Sequence, residues 1–274
     1  MKLDKEDYID PNCVLCGKPG ETEAVQPIPV GRVLDKLREY EDRSDWAAAE
    51  RHLHYWLAEA EANRDERGQL MIHNELMGFY RKQGKREEAV THSEQADALV
   101  EKLDMADTIT AGTTWVNCGT VREAFGDPVA GLVFFEKARE NYERNLPKGD
   151  GRLGGLYNNM ALTLVDLTRF DEAEELYQKA LGLLAAVQNG QADAAITHLN
   201  MADLYAARDG AEAAESRVAC CIERAAALLD SPALPRDGYY AFVCEKCAPT
   251  FGYYGYFLLE QTYRERAKEI YERT

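Results

Sequence analysis

Two residue types in this chain carry chemistry by identity and spacing. Cysteines occur twice as Cys-x-x-Cys, at Cys13 and Cys16 and again at Cys244 and Cys247. Asparagines recur at near-equal intervals, at Asn117, Asn159 and Asn200, with Asn74 one repeat earlier. A Cys-x-x-Cys pair followed by glycine, as in Cys13-Val14-Leu15-Cys16-Gly17, can place two thiolates on one edge of a zinc ion. A structural zinc site wants four ligands, so each pair is half a site. A thirty-residue extended segment reaches up to ~100 Å, enough for Cys13 and Cys16 to join Cys244 and Cys247. Against that, Cys244 and Cys247 fall where helical packing wants apolar residues, and a buried free cysteine serves as a small hydrophobe. An asparagine amide offers both a donor and an acceptor, which suits capture of an extended peptide backbone or a brace between helices.

These residues must be positioned by helices. Tyr157, Met160, Ala161 and Leu164 recur at spacings of three and four, as do Ala173, Leu176, Tyr177, Ala180 and Leu184. Between them the polar run Thr168 to Glu172 predicts a turn, with Asp171 as a helix cap. The small residue opening each second helix tests the register. Ala49, Ala89, Gly131, Ala173 and Ala214 stand 40, 42, 42 and 41 residues apart. Such a period is the signature of a repeat array. Other columns keep the register. Twelve residues earlier stand Leu37, Met77, Gly119, Ala161 and Ala202; nine earlier stand Tyr40, Tyr80, Arg122, Leu164 and Tyr205. Small residues let paired helices touch, and aromatics fill the space between hairpins.

The expected organisation has three parts. Residues 1–30 hold Pro11, Pro19, Pro27 and Pro29 with Gly17 and Gly20, which argues for an extended segment. Residues 31–230 form the array, with hairpins over about 31–63, 70–103, 112–145, 154–188 and 195–230. Residues 237–274 form a divergent hairpin that caps the array, its first helix ended by Pro249. The expected class is all-α.

Composition narrows function. The 274 residues carry 32 basic and 48 acidic side chains, a net charge of −16. That surface repels phosphate backbones and anionic lipid, so neither nucleic acid nor membrane is an expected partner. MKLDKEDYID lacks an apolar core, so no secretory signal is expected, and no apolar run nears the ~18 residues of a membrane span. Seven cysteines cannot all pair within one chain, which points to free thiols in a reducing cytoplasm. Cys118, Cys220 and Cys221 sit in the packing pattern. His52 and His54 lie two apart, on different helix faces; His73 and His198 occupy columns held by Trp115 and Tyr157 elsewhere. No nucleophile elbow, metalloprotease helix or phosphate-binding loop occurs, and no βαβ pattern supports thiol redox chemistry. The chain is expected not to be an enzyme and to need no cofactor beyond the structural zinc considered above.

The hairpin LYNNMALTLVDLTRFDEAEELYQKAL, with its long period, resembles the tetratricopeptide (TPR) repeat, in the roughly 42-residue form of kinesin light chains and many bacterial TPR proteins. The resemblance covers about residues 31–230 and implies a right-handed α-solenoid whose first helices line a concave groove. It further implies that Asn117, Asn159 and Asn200 contact a bound peptide. Helix arithmetic adds Arg38, Arg81, Lys82, Thr120, Glu123, Asn158 and Asp203 as groove neighbours, beside Asn74. Their mixed sign departs from the basic clamp of TPR domains that capture acidic C-terminal peptides. The expected function is a protein- or peptide-binding scaffold; the alternative is a sensor for a small peptide or metabolite, with zinc joining the termini. Oligomeric state is left open.

Overall fold

The computed structural model describes residues 25–273. Among them are twelve α-helices and no strand. They fall into two compact units that divide between Leu146 and Pro147. The first unit holds α1 (Val30–Asp42), α2 (Trp46–Ala62), α3 (Glu66–Lys82), α4 (Arg86–Lys102), α5 (Ile109–Ala124) and α6 (Pro128–Asn145). The second holds α7 (Gly151–Asp166), α8 (Phe170–Leu184), α9 (Gln191–Asp209), α10 (Ala211–Leu229), α11 (Gly238–Tyr253) and α12 (Phe257–Tyr271).

Successive helices pair as antiparallel hairpins, and within each unit first helices also pack side by side: α3 on α5, α7 on α9, and α9 on α11. The small-residue column explains the closeness. Ala49, Ala89, Ala173 and Ala214 are fully buried. In the third hairpin two glycines replace alanine: a Cβ on Gly131 would stand 3.1 Å from the carbonyl oxygen of Gly119. Backbones of α5 and α6 therefore meet almost directly. Tyr80 and Tyr205, members of the aromatic column, reach back to the preceding hairpin. Their hydroxyls donate to Glu50 at 3.0 Å and to Glu174 at 2.7 Å, the residues next to Ala49 and Ala173.

Five of the six hairpin turns close alike. One residue adopts the left-handed conformation, and the next amide bonds the carbonyl five residues back, as in Asp45 to Tyr40, Lys85 to Tyr80, Asp127 to Arg122, Arg169 to Leu164 and Tyr256 to Phe251. Glycine takes the left-handed place at Gly84, Gly126 and Gly255; Ser44 and Thr168 take it without glycine.

Two sequence expectations are corrected. Asp171 does not cap α8: the helix starts at Phe170 after Arg169, and Asp171 lies inside its first turn. The turn closed at Thr168 leaves no room for the longer polar break. Pro249 does not end α11, which continues to Tyr253. A proline inside a helix costs ~3 kcal/mol or more through a lost backbone bond and a ring clash, and buried Cys247, Ala248 and Phe251 hold the chain helical on both sides.

Candidate functional site

The polar residues singled out above lie on the first helices of each unit. In the first unit Asn74 of α3 is 4% exposed, and its amide is fully engaged. Its nitrogen donates to the Leu70 carbonyl at 2.9 Å and to Thr114 Oγ1 of α5 at 3.1 Å. Its oxygen accepts from Asn117 Nδ2 at 3.2 Å. Asn74 is thus spent on bracing α3 to α5. Asn117 is half-buried and keeps its Oδ1 without a partner among the described residues. Near the other end of the same face, burial lowers the pKa of Arg81, and the charge of Glu123 on α5 works against that shift.

The second unit repeats the device. Asn200 Nδ2 of α9 donates to Asn158 Oδ1 of α7 at 3.1 Å. Asn159 stands beside the rung, half-buried, and its side chain meets no polar partner among the described residues. Its backbone carbonyl accepts from Thr163 Oγ1 at 3.1 Å. Further along α9, Asp203 accepts from the hydroxyl of Tyr254, just past α11, at 2.8 Å. Burial raises the carboxyl pKa of Asp203, and the Tyr254 bond only partly offsets it. Asp193 is raised for the same reason and accepts from the Tyr239 hydroxyl.

Each unit therefore presents a partly buried face that mixes amides with charge, Arg81 with Glu123 in the first and Asp203 with Asp193 in the second. Sequence reasoning named Asn74, Arg81, Asn117, Asn158, Asn159, Asn200 and Asp203. It missed Thr114, Asp193, Tyr239 and Tyr254, which complete the pairs. Tyr239 sits on α11 and Tyr254 just past its end, outside the recognisable repeat pattern, so no register pointed to them. Of the groove neighbours, Arg38 is exposed beside Asp35, and Lys82 pairs with Glu41 of α1 at 3.1 Å.

Cys13 and Cys16 lie outside the described residues. Cys244 and Cys247 are buried in α11, and burial raises both thiols, Cys247 to about 12. Neither lies in a group of three or more metal-ligating side chains among the described residues. Their surroundings favour the protonated thiol, whereas zinc binds thiolate. Among the described residues no helix is long and apolar enough to cross a membrane.

No protein-family model matches the sequence, and no curated protein matches it. Solved structures do. A Podosopora anserina protein described as a kinesin light chain of nearly identical TPR-like repeats matches with a TM-score of 0.52 at 16% identity, over 75% of this chain and 96% of that one. BtubC (BKLC) from P. vanneervenii matches with a TM-score of 0.50 at 18% identity, over 90% of this chain and 92% of that one. The chain has the TPR fold. A Rap protein complexed with competence and sporulation factor matches as well, with a TM-score of 0.55 at 13% identity, over 88% of this chain and 63% of that one. In TPR terms, the Asn74–Asn117 and Asn158–Asn200 rungs each join the first helices of two neighbouring repeats.

Proposed function

We propose that the first-helix face of each unit binds an extended segment of a protein or peptide partner, and that the chain is a non-enzymatic scaffold. The observation that carries this reading is the half-buried amide chemistry of Asn117, Asn159 and Asn200. Each rung uses one N–H of Asn117 or Asn200 and leaves the carbonyl oxygen unpaired. Asn159 has its whole side-chain amide to offer. A half-buried amide without a protein partner is open to a ligand, and a peptide backbone supplies both a donor and an acceptor. The Rap complex supports the reading, since a protein of similar fold is there held with a bound factor. A cytoplasmic location fits the free thiols of Cys118, Cys220, Cys221, Cys244 and Cys247.

Asn159 provides the clean test because it braces nothing. The tag-free full chain is used as bait with a photo-crosslinker, and the partner recovered is titrated against Asn159→Ala. The expected result is a loss of affinity of about tenfold, roughly 1.4 kcal/mol, with an unchanged melting temperature. Unchanged affinity for a partner that crosslinks elsewhere on the chain overturns the reading.

A further inference from the structure

The first unit contains a histidine cluster that the binding face does not use. His73 of α3 and His92 of α4 point their Nδ1 atoms at one another across 2.8 Å. His54 of α2 lies beside them, its ring 6.2 Å from that of His92, and its Nε2 bonds the Tyr80 hydroxyl at 2.7 Å. Tyr80 stacks on His92 with ring centroids 5.6 Å apart and planes 8° from parallel. The His73–His92 pair floors a surface cleft of about 460 Å³ that is also lined by Glu61, Gln69, Thr91, Gln95 and Lys102.

We propose that His73 and His92 form a two-nitrogen site for a late first-row divalent metal ion, zinc being the simplest case. Neutral imidazole is a preferred donor for such ions. With metal–nitrogen bonds of ~2.0–2.1 Å, two nitrogens in one coordination sphere stand ~2.9–3.4 Å apart. To admit the ion the Nδ1 atoms separate by a few tenths of an ångström, and each ring turns so that its lone pair meets the ion off the N–N line. The stacked Tyr80 fixes the plane of His92, the orienting role that outer groups play at metal sites. His54 is held away by its own bond to Tyr80. Among the described residues no third ligating side chain joins the pair, so water completes the sphere. The affinity belongs in the micromolar range rather than that of a closed structural site.

The protons balance without loss. Each imidazole is neutral and carries one proton. The proton bridging the two Nδ1 atoms moves to Nε2 of its own ring, freeing both Nδ1 lone pairs.

Zinc chloride titrated into the tag-free full chain with Cys13→Ser and Cys16→Ser tests the site by calorimetry. The expected result is one equivalent bound near neutral pH. His92→Gln keeps an amide able to bond His73 but is a poor ligand, so affinity falls at least ~10-fold. His54→Gln leaves it unchanged. Nitrogen-15 spectra of the histidines in the otherwise wild-type chain place the ion on both Nδ1 atoms independently of any variant's folding. No binding, equal binding by His92→Gln, or zinc-induced shifts confined to other histidines overturns the proposal.

Discussion

Asn200 donates its side-chain amide to the carbonyl oxygen of Asn158 at 3.1 Å, from one repeat to the repeat before it. Asn117 makes the same bond to Asn74 at 3.2 Å in the other unit. The two bonds span 42 and 43 residues of sequence, so each runs diagonally, one position off the column of Asn117, Asn159 and Asn200. The partner in each case is the residue before the column position, which is why Asn74 and Asn158 matter beside their neighbours Glu75 and Asn159.

The diagonal separates two roles that a single column merges. Asn200→Ala removes a half-buried hydrogen bond and strands Asn158 Oδ1, so it costs about 1 kcal/mol of unfolding free energy. Asn159→Ala breaks no side-chain bond and changes stability by less than ~0.5 kcal/mol. Urea denaturation of the two variants measures the difference, and equal losses would show Asn159 to be a brace as well.

Much of this was legible in advance because packing against a neighbouring repeat forces size at fixed positions. Ala49, Ala89, Gly131, Ala173 and Ala214 had to be small where helices touch, and a run of small residues at constant spacing is visible in any sequence. The polar pairs were harder. Asn74 sits one position off its column, beside Glu75, yet it is the residue that Asn117 bonds. The His73–His92 contact was hidden in a similar way: His92 lies three residues past Ala89 on a second helix, outside the columns that set the register, and His73 reads as an aromatic filler. The overrun of α11 past Pro249 could not be read locally, since it depends on what Phe251 packs against.

Glycines divide by what surrounds them. A Cβ on Gly119 would stand 2.6 Å from the ring of Phe135, which is fully buried and cannot move aside. Gly119→Ala is expected to cost about 1–3 kcal/mol through overpacking. Gly78 and Gly182, inside α3 and α8, have nothing within 4 Å of a built Cβ. Alanine at either is expected to stabilise by ~0.5–1 kcal/mol through helix propensity. Melting curves for the three variants should move in these opposite directions.

Acid should weaken the first unit. His73 and His92 titrate at about 4 in the fold, against 6.5 ordinarily, so the unfolded chain takes up protons first as pH falls. Their stabilising contribution is full above pH 6.5 and is lost as pH falls towards about 4. His92→Gln removes one of the two groups and flattens that dependence. Melting temperatures followed across this window in wild type and variant test it; parallel curves would deny the pair its role.

Asp203 behaves in the opposite sense. Its folded pKa is raised above 3.8 by burial, so the charged form costs stability at neutral pH, and the cost fades as pH falls towards that value. Asn at this position still accepts the Tyr254 hydrogen bond but carries no charge. Asp203→Asn is therefore expected to be more stable than wild type at pH 7, by under ~1 kcal/mol given its partial exposure, with the gap closing in acid. Natural chains keep a destabilising group where binding uses it. If Asp203 meets a cationic group of the partner, the same variant binds more weakly while it melts higher. A variant that gains stability and loses nothing in partner affinity would remove Asp203 from the binding face.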